Sequence, residues 1–461
     1  MEEPLAYLKQ RADEDWLIGY NRRQFFELCE QLFSDLTQQA NRRTPPTILL
    51  AEPNPLRFLA AFMAAVAAGC PVFLCNPNWV QQEWQQVFEL VQPDLIFGQA
   101  AIDTIPLSHA RFPIPHSQFP NQIMIPTGGS SGKIRFAVHT WETLMASVHG
   151  FYQYFGEKPV NSFCVLPLYH VSGLMQFLRS LTTGGKIAIL PFKALTAGEG
   201  RQIDPSSFFI SLVPTQLARL IDCDAVWLSR FRAVLLGGAP AWSSLLEQAR
   251  HHSIPLAPTY GMTETASQVV TLKPEAFLAG NNSCGQVLPH AQVTIRSSTD
   301  EILGVNQTGI VTIQAKSLTL GYYPIAPKSQ TQTLQSDDLG FFNEQGYLTI
   351  VGRHSNKIIT GGENVFPAEV EAAILSTHLV SDVCVIGLPD RDWGQVVTAI
   401  YVPNSLNVSP ACLQSSIKDK LSKFKRPKYW VAIETLPRNA QGKLNYEQIK
   451  TIALDSLTVN S

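Results

Sequence analysis

The chain has 461 residues, of which 45% are hydrophobic and 16% charged, with a formal net charge of -2. That length exceeds one ordinary core and predicts two or three domains of a globular protein with a large buried interior. The near-neutral balance argues against nucleic acid as a partner held by general electrostatics.

The N-terminal MEEPLAYLKQ is acidic and shows no apolar signal-peptide region. The most apolar run, 58–74, is broken by Gly69, Cys70 and Pro71. It is Ala-rich and short for a membrane span, so it reads as a buried helix passing into a strand, and no integral membrane segment is expected. The eight cysteines (Cys29, Cys70, Cys75, Cys164, Cys223, Cys284, Cys384 and Cys412) form no CxxC pair. They read as small buried hydrophobes of a reducing compartment, with the cytoplasm as the default. Short β-rich runs recur at 47–51, 71–75, 94–98, 163–166, 186–190, 208–213 and 232–236. Segments of helical spacing, such as 79–91 and 141–154, lie between them. This alternation predicts an α/β fold with parallel sheets covered on both faces and ligands at the carboxyl ends of strands.

The texture changes after Gly285, where 292–295, 309–315 and 347–351 read as strands separated by turns: a small β subdomain over about 285–353. A second change falls at Gly352 to Ser355. Beyond it come a helix at 367–375 opening on Pro367, strands at 382–387 and 396–402, a helix at 410–421 and a strand at 429–433. The expected division is a large domain over 1–353 and a small α+β domain over 354–461, with a frayed tail after Asp455.

Residues 126–140 read PTGGSSGKIRFAVHT, with Gly or Ser at five of the first seven positions, directly after the apolar NQIMI. Gly128, Gly129 and Gly132 allow positive φ and close approach to a ligand. Ser130, Ser131, Lys133 and backbone N–H groups can donate to phosphate oxygens. The stretch is not a Walker A loop: the glycines are one residue too close, and Ile134 stands where a magnesium-binding Ser or Thr would follow Lys133. By composition alone it could equally be a surface turn.

Four further stretches decide between those readings: TYGMTETASQ (259–268), SDDLGF (336–341) followed by Gly352-Arg353, KIITGGENVFPAEVE (357–371) and PRNAQGKL (437–444). In this order, and together with the opening loop, they resemble the acyl-adenylate-forming superfamily of acyl- and aryl-CoA ligases, luciferases and peptide-synthetase adenylation domains. The resemblance covers nearly the whole chain after about Ile48. It implies an enzyme that activates a carboxylic acid with ATP and Mg²⁺ as an acyl-adenylate, then transfers the acyl group to CoA. The C-terminal domain is then mobile.

The resemblance also implies residue roles. Glu264, with Thr263 beside it, matches the magnesium ligand, a hard oxygen donor of the kind Mg²⁺ prefers. Read alone it is a helix-start Glu near a capping Thr. Tyr260 and Gly261 match the segment that meets adenine, as do Gly237, Gly238 and Ala239, with Gly237 also bordering the acyl pocket. Their plain readings are a core Tyr and a tight turn. Asp338 and Arg353 match the pair that holds the ribose hydroxyls. Lys443 matches the lysine that stabilises the α-phosphate transition state, although a lone Lys in such a turn is ordinarily idle. Ser355 occupies the hinge position, and Gly361 and Gly362 the turn used in the CoA step. Thr127, Gly129 and Gly132 shape the phosphate loop, while Ser130, Ser131 and Lys133 hold pyrophosphate. Lys423, Lys425 and Arg426 read either as contacts for CoA phosphates or as a solvated face.

His170 and Ser172, in LPLYHVSGL, fall where the family lines its acyl pocket. With YGMTETASQ they look most like the o-succinylbenzoate–CoA ligases of menaquinone and phylloquinone synthesis. That substrate carries a second carboxylate, which needs polar donors because an unpaired buried charge is costly. Another aryl- or short-chain acyl-CoA ligase, or a non-catalytic nucleotide-binding relative, are the alternatives. Departures from the family pattern are Asp337 for a Gly, Asn356 for an acid, and Gly128, Ile134 and Phe136 in the loop, where Arg135 keeps a cation. The oligomeric state, a homo-oligomer included, is left open.

Overall fold

A computed structural model describes residues 3–42, 44–98, 121–128, 134–156, 159–324, 333–354, 357–360, 363–390, 393–405, 407–438 and 444–458. The alternating strand and helix runs of the first half build two large sheets. One has the order Leu95–Phe97, Ile48–Leu50, Val72–Leu74, Ile123–Gly128, Ile134–His139 and Tyr322–Tyr323. It is parallel as far as Ile123–Gly128 and antiparallel in its last two pairings. The other runs Leu17–Ile18, Ile187–Ile189, Asn161–Cys164, Phe208–Leu212, Ala233–Leu236, Leu256–Met262, Ser267–Thr271 and Gln286–Val287. Its pairings are parallel until Ser267–Thr271 turns back.

Helices fill the space between these sheets. Pro55–Ala67 starts on Pro55, with the Asn54 side chain accepting from the Leu56 and Arg57 N–H groups. Such a cap satisfies donors the helix leaves orphaned. Its side chains from Phe58 to Val66 are buried, and it shares one core with Trp141–Phe155, Val171–Thr183 and residues of both sheets. A helix apolar on all sides must be sandwiched in this way. The run at 58–74 is thus a buried helix entering the strand Val72–Leu74, as expected. Among the described residues, no helix is long and apolar enough to cross a membrane.

After Gly285 a four-stranded antiparallel sheet follows, ordered Ala291–Arg296, Gly309–Ala315, Thr333–Phe342, Leu348–Arg353. Its long strand Thr333–Phe342 is not evident in the sequence, because charged and polar side chains break its apolar signal. The C-terminal sheet comprises Glu363–Val365, Ile358–Thr360, Gly394–Pro403 and Val380–Asp390, with Tyr429–Ala432 paired to Gly394–Pro403. The helix Pro367–Leu375 has the expected bounds, whereas the one expected at 410–421 stops at Ser416. The tail expected to fray after Asp455 is helical as far as Thr458, and residues 459–461 lie outside the described ones. Tyr446–Thr458 is a helix, held by Ile449 and Ala453, which stand one turn apart and are buried against the C-terminal sheet.

His139, at the end of Ile134–His139, is fully buried, and burial lowers its pKa to about 4. Its Nε2 donates to the Thr263 carbonyl at 2.8 Å, which fixes the neutral tautomer, and Nδ1 lies 3.1 Å from Thr143 Oγ1. The unfolded chain titrates this group near its ordinary 6.5. Between those values the unfolded state binds more protons, so the stability contributed by neutral His139 is full above about 6.5 and lost as pH falls. The shift is on the order of 3 kcal/mol. Glu371, which burial raises to about 7, runs the other way, so the histidine is best isolated by difference. We expect the unfolding free-energy gap between wild type and His139→Gln to narrow as pH is lowered from about 6.5 to 4. Denaturant titrations across that range measure it.

Candidate active site

The Gly-rich loop closes a hairpin. Ile123–Gly128 and Ile134–His139 pair antiparallel, with Thr127 opposite Arg135 and Gly128 opposite Ile134. A strand followed by a strand, not a helix, is the second reason this is no Walker A loop. Gly129, Ser130, Ser131, Gly132 and Lys133 lie outside the described residues, as do Ser355, Gly361, Gly362 and Lys443.

Across the carboxyl ends of the other sheet, Gly237 and Gly238 follow Ala233–Leu236. Gly238 has φ +81°, and a Cβ at Gly237 would press to 2.6 Å from Thr259 Oγ1. Only glycine leaves this turn open beside Thr259. Ala239 is exposed next to it. At Tyr260–Gly261 the strand bulges, and a Cβ on Gly261 would collide with the Ser267 carbonyl.

Asp338 and Arg353 face each other across the pairing of Thr333–Phe342 with Leu348–Arg353. Asp338 Oδ1 lies 3.4 Å from Arg353 Nε, while Oδ2 accepts from the Tyr260 hydroxyl at 2.9 Å. The Asp338 side chain is mostly buried and the guanidinium half-exposed. The Tyr260 ring packs in the core beneath; burial first, and the Asp338 charge second, push its phenol well above the usual range, so it stays a donor. A carboxylate offers four lone-pair sites, so Asp338 keeps capacity for a diol. Two residues predicted to share one job are therefore brought together, with Tyr260 orienting one of them.

Glu264 sits in a short 3-10 turn, Thr263–Thr265, with its side chain buried. Its Oε1 accepts from the Tyr322 hydroxyl at 2.6 Å, and its main-chain carbonyl accepts from Thr319 N–H at 2.7 Å. Among the described residues, no group of three or more His, Cys, Asp and Glu is gathered to hold a metal. A single carboxylate suits a cation that arrives on phosphate oxygens, the usual habit of Mg²⁺. The turn exits through Ala266 and Ser267 at φ +51° and +97°. Such backbone persists only where the surroundings hold it.

Arg179 supplies part of that hold, and the sequence reading missed it. Its Nη2 donates to Ser267 Oγ at 3.1 Å and Gln268 Oε1 at 2.9 Å, and its guanidinium lies 4.1 Å from the Phe151 ring centroid. It is 2% exposed, and among the described residues no carboxylate pairs with it. Burial lowers its pKa to about 9. Around it, Arg179 Nε, Gln176 Oε1, Gln268 Nε2 and both ring nitrogens of His290 find no protein partner. A missed signal is present in the sequence: Ser172, Gln176 and Arg179 stand at i, i+4 and i+7 on one face of the helix Val171–Thr183. His170 caps that helix, and Gly173 lets it pass against the Pro167 carbonyl. Lys425, by contrast, is spent on Glu369 at 2.6 Å and Arg426 on the Leu421 and Lys418 carbonyls. A cavity of about 860 Å³, lined by Pro240, Leu339, His354, Lys357 and Lys425 among others, lies beyond Asp338.

Residues 17–323 match the AMP-binding enzyme family, and 369–443 the AMP-binding enzyme C-terminal domain. The 2-succinylbenzoate–CoA ligase of Oceanobacillus iheyensis is 36% identical over 285 residues, 60% of this chain and 58% of that protein. The enzyme of the same name from Bacillus thuringiensis subsp. konkukian is 32% identical over 481 residues, 98% of this chain and 99% of its own. The o-succinylbenzoate coenzyme A synthetase of Bacillus subtilis has been solved with the acyl-adenylate OSB-AMP. That structure superposes with a TM-score of 0.82 at 26% identity, covering 96% of this chain and 97% of that one. A second structure of it, with ATP and magnesium, gives 0.81 at 26%, covering 96% and 99%. The chain belongs to the AMP-binding enzyme family.

Proposed function

We propose that the chain is an AMP-forming acid–thiol ligase that joins o-succinylbenzoate to CoA, using ATP, with Mg²⁺ bound alongside the nucleotide. A side-chain carboxylate oxygen of the acid attacks the α-phosphorus and pyrophosphate leaves. The CoA thiol, losing its proton, then attacks the acyl carbon and AMP leaves. Charge crowds around phosphorus in the first step, so donors held in advance lower its barrier. Magnesium, when bound, neutralises part of that charge. Glu264 is the residue that would hold it. Asp338 and Arg353 take the ribose hydroxyls; Gly237 to Ala239, Tyr260 and Gly261 border the base. Thr127 and the loop to Lys133 enclose the outgoing phosphates, and Lys443 reaches the α-phosphate. Residues 1–353 and 354–461 act as separate units hinged at Ser355, with Gly361 and Gly362 serving the thiol step.

The observation that carries the substrate reading is a buried cation, Arg179, that pairs with no carboxylate among the described residues. Arg179, beside Ser267, Gln268 and His290, continues the polar stripe that begins at His170 and Ser172. A buried charge left unpaired costs several kcal/mol, and an acid with a second carboxylate would relieve it. A fatty acid would not. The relatives named for 2-succinylbenzoate support the same choice.

Wild type is therefore expected to prefer o-succinylbenzoate over 4-oxo-4-phenylbutyrate, which lacks the ring carboxylate, by at least about tenfold in kcat/KM. Arg179→Gln should erase most of that preference, measured by AMP release with both acids. Lys443→Ala should slow adenylate formation by about 100-fold or more while sparing thioester formation from supplied acyl-adenylate. Equal loss of both half-reactions would remove that role from Lys443.

A further inference from the structure

Glu264 is held from every side by residues outside the motif that contains it. Its neighbour's carbonyl, on Thr263, accepts from His139; its own carbonyl accepts from Thr319 N–H; its carboxylate accepts from Tyr322. Thr319 and Tyr322 belong to one segment that is tied to the strand leaving the Gly-rich loop. Thr319 Oγ1 donates to the Val138 carbonyl at 2.8 Å, Leu320 N–H to the same carbonyl at 2.8 Å, and Tyr322 lies opposite Ala137 in the sheet. Alternation along Ile134–His139 places Arg135 and His139 on one face. His139 reaches Thr263, while the Arg135 guanidinium stands 4.9 Å from the Tyr322 ring centroid.

We propose that Tyr322 is a positioning residue for Glu264, tying one carboxylate oxygen so that the other alone is available to a cation. The inference rests on the reading of Glu264 as the magnesium ligand. An untied Glu side chain loses rotamer freedom when a ligand orders it; here the fold has already ordered it. A carboxylate with one oxygen committed also binds a cation through a single oxygen, which suits the octahedral demand of Mg²⁺ better than bidentate capture. Arg135 over the ring keeps the phenol in place and links the arrangement to the base of the loop. The competing role is a plain structural staple. A staple would weaken the fold, or nucleotide binding in general, without changing what magnesium adds.

Calorimetric titration of ATP, with and without Mg²⁺, separates these roles in wild type, Tyr322→Phe and Glu264→Gln. The phenylalanine keeps the ring beside Arg135 and removes only the donor, and the thermal unfolding midpoint checks that each variant is folded. The quantity read is the factor by which Mg²⁺ tightens ATP binding. Glu264→Gln should abolish most of it. Tyr322→Phe should reduce it about tenfold, the scale of one hydrogen bond to a charged group, with Mg²⁺-free binding unchanged. An unchanged magnesium factor in Tyr322→Phe, or equal weakening with and without Mg²⁺, overturns the proposal while leaving Glu264 as the ligand. An unchanged factor in Glu264→Gln overturns the underlying reading, and the proposal with it.

Discussion

The constraint behind this fold is the grip on the Thr263–Glu264 turn. The carboxylate proposed above for the cation has to be aimed before the cation arrives. The chain achieves this with groups from three distant stretches. His139 comes from the strand after the Gly-rich loop, Tyr322 from the last strand of the same sheet with Thr319 in the segment leading into it, and Arg179 from the helix behind. The left-handed residues Ala266 and Ser267 are tolerable because these bonds surround them. The two large sheets meet at this turn: Ile134–His139 belongs to one, Leu256–Met262 and Ser267–Thr271 to the other.

The same logic places the pair proposed to hold the ribose. Asp338 and Arg353 are neighbours only because two antiparallel strands are in the right register, and Tyr260 arrives from the adjoining sheet to fix one oxygen. Asp338 and Glu264 are thus each held by a tyrosine hydroxyl that arrives from another element. Preorganisation of this kind is what an electrostatically stabilised reaction requires. The polar stripe from Ser172 to Arg179 is the exception: its cation is buried on Ser267 and Gln268, with no carboxylate paired to it among the described residues.

Much of this was legible from the residues. The strand runs of the first half were visible because parallel strands buried on both faces are continuously apolar. Thr333–Phe342 was hidden by its own acids, and Tyr446–Thr458 by the sparse spacing of the few apolar residues that anchor it, Ile449 and Ala453 among them. Motifs named Glu264, Asp338 and Arg353 because those residues carry chemistry. Tyr322 and Arg179 were not named, since their work lies in contacts across 58 and 89 residues of chain. Local pattern carries no record of such partners, although the i, i+4, i+7 spacing of Ser172, Gln176 and Arg179 was there to be read.

Adenylation of the side-chain carboxylate of a two-carboxylate acid, as proposed here, is read most directly with o-succinylbenzoate labelled with ¹⁸O in that carboxylate alone, incubated with the enzyme, ATP, Mg²⁺ and CoA. One ¹⁸O is expected in the phosphate of the AMP released, and unlabelled pyrophosphate. Label in inorganic phosphate with ADP as coproduct, or AMP that carries no ¹⁸O while thioester accumulates, would contradict it.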